Sequence, residues 1–374
     1  MSLLQGHQQD LEALSRASRR RRLIPRAGHD FSSNDYLGLA AAPELREAFA
    51  EALARGVPVG SGGSRLLRGN HEEHERLEAE AAAFFGSESA LFFSSGYAAN
   101  AALLSTLPQR GDLIVHDELI HASSHEGMRL SRADATAARH NDPIAFEETV
   151  GEWRQSGGTG RAWIAIESLY SMDGDMAPLD ALITIADRHD AILLIDEAHA
   201  TGIFGEGGRG LAAHLEGRGN VVTIRTCGKA LGCEGALVCG PTIVRDFLIN
   251  RGRAFIFSTA PSPLIAAGVR AALRLIADKP ERRARLLNLI EHAARALVPL
   301  GASPTGSQIM PLIIGDEAAT MAVAATLQQG GFDVRGIRPP TVAPGTSRLR
   351  ISLTLNVDEE AVDALAAALA EARR

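Results

Sequence analysis

Five short apolar runs, each stopping at a polar cluster, constrain this chain more than any other feature. Ala90-Leu91-Phe92-Phe93 gives way to Ser94-Ser95-Gly96, and Leu113-Ile114-Val115 to His116-Asp117. Ala162-Trp163-Ile164-Ala165-Ile166 stops at Glu167, Ile192-Leu193-Leu194-Ile195 at Asp196-Glu197-Ala198-His199, and Val221-Val222-Thr223-Ile224 just before Thr226. Unbroken runs of this kind are strands buried on both faces, and their alternation with helical stretches predicts an α/β fold with a mostly parallel, doubly wound sheet. Ligands of such sheets sit beyond the carboxyl ends of the strands.

After Gly240 the pattern changes. Helical spacing covers about 262–278 and 282–299, strand candidates follow at 309–314, 332–337 and 348–354, and an amphipathic helix runs from Glu359 to Arg373. That order predicts a smaller α+β C-terminal domain. The 374 residues therefore divide into an N-terminal helical and extended segment over 1–40, a large α/β domain over 41–262 and the C-terminal domain over 263–374.

An acid, a histidine and a lysine stand at two neighbouring strand ends: Asp196 and His199 after one, Lys229 in Thr226-Cys227-Gly228-Lys229 after the next. Of the 38 basic residues only Lys229 and Lys279 are lysines. A chain that covers its surface with arginine has no need of lysine for solubility. Among small residues after an apolar strand, Lys229 is expected to be buried, where an ammonium must be paired or neutralised. Unlike arginine, lysine can lose its proton and form a Schiff base.

Several function classes drop out. A net charge of −7 argues against a nucleic-acid-binding body. Cys227, Cys233 and Cys239 have neither zinc nor disulfide spacing, and no window approaches a membrane span, so a cytoplasmic protein is expected. No metal site is expected either. His71-Glu72-Glu73-His74 lacks the spacing of a zinc motif and reads as the exposed first turn of a helix reaching Phe85, while His121 and His125 lack a matching third ligand.

Two arginine groups remain. Residues 10–22 read as an amphipathic helix ending in Arg19-Arg20-Arg21-Arg22, either a solvated face or a patch for a carboxylate or phosphate. In the alternating strand Arg348-Leu349-Arg350 both arginines share a face, which suits a substrate carboxylate.

Two chemistries compete for the Asp196–Lys229 stretch. Asp196-Glu197-Ala198-His199 spells the box of the DEAH-type NTPases, but that chemistry needs a Gly-Lys-Ser/Thr phosphate loop, and the only Gly-Lys pair here is followed by Ala230. Pyridoxal phosphate asks for a lysine for its aldehyde, a carboxylate for its pyridine nitrogen, a donor to its phenolic oxygen, a ring against its face and an anion cradle. Lys229, Asp196, His199, His121 and the turn Ser95-Gly96-Tyr97 can fill those roles in that order.

The sequence resembles the α-oxoamine synthases, pyridoxal-phosphate enzymes of aminotransferase fold type I, over nearly its whole length. The resemblance rests on Phe31–Gly38, Gly60–Ser64, Ser95–Asn100, Ser171-Met172-Asp173-Gly174-Asp175, Asp196–Gly202 and Gly228-Lys229. Ile337-Arg338-Pro339-Pro340-Thr341-Val342 with Arg348-Leu349-Arg350 resembles the branch that condenses L-alanine with a pimeloyl thioester; sister branches use glycine or serine with other acyl groups. The resemblance implies that Lys229 holds the cofactor and moves the Cα proton, with His121, Asp196 and His199 beside it. It implies that Ser95, Gly96, Tyr97 and Thr226 hold the phosphate, with Thr259 reaching across from a second subunit of a homodimer that shares its active sites. Glu167 and Ser171 would lie near the ring, Arg350 would meet the amino-acid carboxylate, Asn34 would contact the substrate, and Arg20 or Arg22 would meet the far carboxylate of the acyl chain.

Overall fold

The computed structural model describes residues 3–373. Twelve strands occur in chain order: β1 (His29–Asp30), β2 (Ser89–Phe93), β3 (Leu113–Asp117), β4 (Asp134–Ala138), β5 (Ala162–Glu167), β6 (Ile192–Asp196), β7 (Val221–Thr226), β8 (Ala236–Gly240), β9 (Ile309–Gly315), β10 (Phe332–Asp333), β11 (Arg335–Ile337) and β12 (Ser347–Ser352). The described residues form two compact units, one of residues 37–171 and 175–283, the other of residues 3–36, 172–174 and 284–373.

The larger unit is built on a seven-stranded sheet in the order β2-β8-β7-β6-β5-β3-β4. Only β8 is antiparallel to its neighbours, so the other six strands run one way and their carboxyl ends share one edge. Alternate residues feed two apolar layers, as a pleated strand requires. Leu113, Val115, Ile164, Ile166, Leu193, Ile195 and Val221 pack with the helices Pro143–Gln155 and Leu179–Arg188. Ile114, Trp163, Ala165, Leu194, Val222 and Ile224 face the helix Gly96–Thr106 instead. The doubly wound α/β expectation holds.

Two local features depart from the sequence reading. The edge strand β4, Asp134-Ala-Thr-Ala-Ala, carries no sequence signal because four of its five residues are exposed. Glu73 and His74 are buried, not exposed, at 1% and 0% accessibility. His74 Nε2 lies 2.8 Å from the carbonyl of Pro261, and Glu73 pairs with Arg270, both far along the chain. Burial, with the charge of Arg65 behind it, pushes the His74 imidazole down to about 4.

In the smaller unit β11-β12-β9 form an antiparallel sheet, with Leu312, Leu349, Ile351, Val362, Leu365 and Leu369 in its core. The N-terminal helix spans Gln5–Arg16 and stops short of the arginine run. Ser18 takes a left-handed φ of 56°, and the Arg19 and Arg20 amides both return to the Leu14 carbonyl at 2.7 and 3.1 Å. This C-terminal reversal satisfies the last carbonyls of the helix and sends Arg19–Arg22 onward as non-helical chain. Among the described residues no helix is long and apolar enough to cross a membrane.

Candidate active site

Lys229 lies in the loop that joins β7 to β8. That loop is tightened by the Cys227 amide on the Gly235 carbonyl (2.8 Å), Cys233 on Cys227 (2.9 Å) and Gly232 on Lys229 (2.9 Å). Gly232 has φ +63°, and a Cβ there would sit 2.5 Å from the Ala40 amide nitrogen, so no larger residue fits. The lysine is half-buried rather than buried. Its Nζ stands 2.8 Å from Nε2 of the buried His199, which follows the neighbouring strand β6.

Asp196 closes β6. One carboxylate oxygen accepts from the Ala198 amide at 2.9 Å and the other from the Asn100 side chain at 2.7 Å. Asn100 is one turn into the helix Gly96–Thr106, whose start is capped by Ser95 Oγ accepting from the Ala98 amide. At that start a Cβ on Gly96 would come within 2.6 Å of the Thr226 methyl, so the helix N-terminus is packed against the end of β7. The dipole and unbonded amides of such a turn favour an anion. Tyr97 stands exposed beside it, and the Thr226 hydroxyl donates to the Ala198 carbonyl at 3.3 Å.

Glu167 ends β5 directly opposite Asp196 in the sheet register. One of its oxygens accepts from the Ser171 amide at 3.3 Å; the other is buried with no hydrogen-bond partner. Burial and, behind it, the charge of Asp196 push the Glu167 carboxyl up to about 8, against the opposing pull of Lys229. His121 caps the helix Ala122–Arg129, its Nδ1 accepting from the Ser123 amide at 3.2 Å. Protein packed on its inner side holds its pKa below the ordinary imidazole value; Asp196 opposes that shift and Lys229 adds to it. The ring is therefore neutral at neutral pH, with its proton on Nε2.

Glu167 makes stability depend on pH. The unfolded chain ionises it near 4.5 and the folded chain near 8, so in that window only the folded state keeps the proton. Stability should therefore fall as pH rises through the window and level off above it. Glu167→Gln is expected to flatten that fall in urea midpoints measured between about pH 5 and about pH 8; an unchanged slope would show that Glu167 is ionised throughout.

Lys229, His199, Asp196, His121, Glu167, Ser171, Ser95, Gly96, Tyr97 and Thr226 thus all belong to the larger unit, around the carboxyl ends of β5, β6 and β7. Thr259 is exposed, after the short helix Arg253–Ile256. Asn100 had a place in the sequence motif but no assigned role; its bond to Asp196 gives it one. In the smaller unit Arg350 is buried and donates to Ser352 Oγ (2.6 Å), Asn34 Oδ1 (3.1 Å) and the Tyr36 hydroxyl (3.4 Å). The arginine run is divided: Arg19 makes a two-pronged pair with Glu317 and Arg21 donates to Thr341, whereas Arg20 and Arg22 are exposed.

A lysine amine touching an imidazole, a fixed carboxylate on the adjacent strand end and a helix start against that edge meet the donor set that pyridoxal phosphate requires. The partnerless buried oxygen of Glu167 leaves a further polar contact available to such a group. These features define a fold-type-I pyridoxal-phosphate transferase. Residues 28–369 match the model of the family "Aminotransferase class I and II". The 8-amino-7-oxononanoate synthase of Geobacter sulfurreducens is 44% identical over 344 residues, 90% of this chain and 87% of that protein. Serine palmitoyltransferase of S. paucimobilis, solved with PLP and myriocin, superposes with a TM-score of 0.91 at 25% identity, covering 100% of this chain and 98% of that one. The 8-amino-7-oxononanoate synthase of Francisella tularensis gives 0.77 at 27% identity, over 92% and 97%. The chain belongs to the aminotransferase class I and II family and, within it, to the α-oxoamine synthases. Its cofactor is pyridoxal 5'-phosphate.

Proposed function

We propose that the chain catalyses the decarboxylative condensation of L-alanine with a pimeloyl thioester to 8-amino-7-oxononanoate, a step of biotin biosynthesis. The observation that carries the reading is the 2.8 Å approach of Lys229 Nζ to His199 Nε2, at strand ends adjacent to the fixed carboxylate of Asp196. The 44% identity to a synthase of that name supports the choice of substrates. A bond forms between alanine Cα and the thioester carbonyl, the C–S bond breaks, the thiol departs, the alanine carboxylate leaves as CO2, and Cα regains a proton.

When bound, the cofactor supplies an electron sink that stabilises negative charge at Cα. The protein supplies position and proton transfer. Lys229 would hold the cofactor through its aldehyde, take the Cα proton and return one after CO2 is lost, with His199 within hydrogen-bond reach of the same nitrogen. Asp196, held by Asn100 and Ala198, would keep the pyridine nitrogen protonated, with His121 against the ring, His199 and Ser171 toward the phenolic oxygen and Glu167 near the ring. Ser95, Gly96, Tyr97 and Thr226 would hold the phosphate. Arg350 is assigned the amino-acid carboxylate, Asn34 beside it a substrate contact, and Arg20 or Arg22 the distal carboxylate of the acyl chain.

The working form in this reading is a homodimer with shared active sites, each completed by Thr259 of the other copy. Residues 41–262 act as the cofactor-binding domain, flanked by a segment over 1–40 and a C-terminal domain over 263–374. Three free thiols suit the reducing cytoplasm. The reading is tested by following thiol release from pimeloyl thioester with alanine, glycine or serine as acceptor. Alanine should be preferred at least about tenfold, as a pocket built around one methyl allows. A preference for serine, which the likeness to the palmitoyltransferase makes the sharpest alternative, would overturn the assignment while leaving the family intact.

A further inference from the structure

One imidazole beyond the assigned residues joins three separate positions of the larger unit. His140, just past the edge strand β4, has Nδ1 2.9 Å from Asp117 Oδ1 at the end of β3 and Nε2 2.8 Å from Asp175 Oδ2. Burial alone would lower this imidazole, but the two carboxylates outweigh it and hold it up at about 10, so both ring nitrogens carry protons at neutral pH. The next residue repeats the bridge, the Asn141 amide donating to Asp117 Oδ2 (2.9 Å) and its side chain to Asp175 Oδ2 (2.7 Å). The His140 amide also donates to Glu118, and the Tyr170 ring meets the imidazole edge-on with centroids 4.5 Å apart.

Asp175 sits at the neck of a narrow loop. The Tyr170 amide bonds the Asp175 carbonyl at 3.0 Å, Ala177 bonds Ser168 at 3.0 Å, and Leu169 bridges Met176. Inside that neck Ser171 donates its amide to Glu167, which stands opposite Asp196. A side chain that fixes the neck therefore fixes the groups placed beside the ring. His140, two residues past the exposed edge strand, is thus half-buried, with 21% of its side chain accessible and both ring nitrogens bonded.

We propose that His140 is a positioning residue of this site: its doubly bonded ring staples the ends of β3 and β4 to the 168–177 loop and so orients Ser171 and Glu167 beside Asp196. The proposal rests on the pyridoxal-phosphate reading above and adds a residue that touches neither cofactor nor substrate. Positional errors of an ångström at such groups cost large factors in function while global stability changes less.

The test compares the wild-type chain with His140→Gln, Asp175→Asn and the surface control His214→Ala, by pyridoxal-phosphate titration and by amide exchange in the cofactor-free proteins. His140→Gln and Asp175→Asn should each weaken cofactor binding by about tenfold or more and displace the pH midpoint of the bound cofactor's absorbance. Exchange of residues 168–176 should rise at least about fivefold, with the distant helix Pro143–Gln155 unchanged. His214→Ala should match wild type. A lowered melting temperature with unchanged affinity, absorbance and loop exchange would reduce His140 to a structural clamp and overturn the proposal. If His140→Gln fails to fold, Asp175→Asn decides by the same criteria. A wild-type chain that takes up no pyridoxal phosphate would sink the functional reading instead, and the loop exchange of the cofactor-free proteins would still decide the staple.

Discussion

Lys229→Ala is expected to lower the rate of condensation by at least about 10^4-fold, because one atom is asked both to hold the cofactor and to move the Cα proton. No neighbour can substitute. His199 reaches the lysine nitrogen at 2.8 Å but is buried at its own strand end, and an imidazole does not form the stable covalent link that an amine does. Arginine at this position would fail as completely, since a guanidinium does not give up its proton. Binding should survive better than turnover, because Asp196, the helix start at Gly96 and His121 are untouched. Borohydride should therefore fix the cofactor to the peptide containing Lys229 in the wild-type chain and leave none on the variant, although the variant still takes it up. Because the side chain is only half-buried, the melting temperature should barely change. Retained turnover, or a borohydride adduct on another peptide, would remove Lys229 from its assigned role.

Much of this arrangement is legible in the sequence because parallel strands buried on both faces announce themselves, and their polar ends follow. Ile192–Asp196 and Val221–Thr226 are such strands, and their parallel pairing brings the lysine, histidine and acid at their ends together. Legibility stops where the deciding contact is distant. The bond between Asn100 and Asp196 joins residues 96 apart in sequence, and the burial of His74 depends on Pro261, 187 residues on. Local pattern carries neither. It also misleads at Ser18, where a residue with no strong preference for the left-handed region ends the helix and separates the arginine run from it. For β4 the failure is one of composition: an exposed edge strand of Asp, Ala and Thr lacks the apolar run by which its neighbours are recognised.

Among the described residues Arg225 is the largest side chain to be fully buried, and its replacement should produce the largest loss of stability. Its guanidinium pairs with Glu197 at 2.8 Å and with Glu216, bonds the Arg209 carbonyl and Thr223 Oγ1, and lies 4.6 Å over the Phe85 ring. Burial alone would lower its pKa, but the two carboxylates outweigh that and raise it. Each carboxylate has other tasks. Glu197 accepts from the Ala212 amide and Glu216 from Thr223, so the cluster ties β7 to the turn that follows Asp196. Gly210 stands against it so closely that a Cβ there would overlap the Glu197 carboxylate. Arg225→Met would leave two carboxylates buried without their cation, and such uncompensated charges cost about 3–5 kcal/mol. The cost comes from the stranded acids rather than from a strong pair, so removing them too should restore most of the loss. The triple variant Arg225→Met, Glu197→Leu, Glu216→Leu is expected to unfold within about 1–2 kcal/mol of wild type, since apolar replacement of buried ion clusters is often neutral or stabilising. Urea unfolding of the single and triple variants separates the two contributions. A single variant that loses less than about 1 kcal/mol would mean that water reaches the cluster and that the two strand ends are held by their ladder bonds alone.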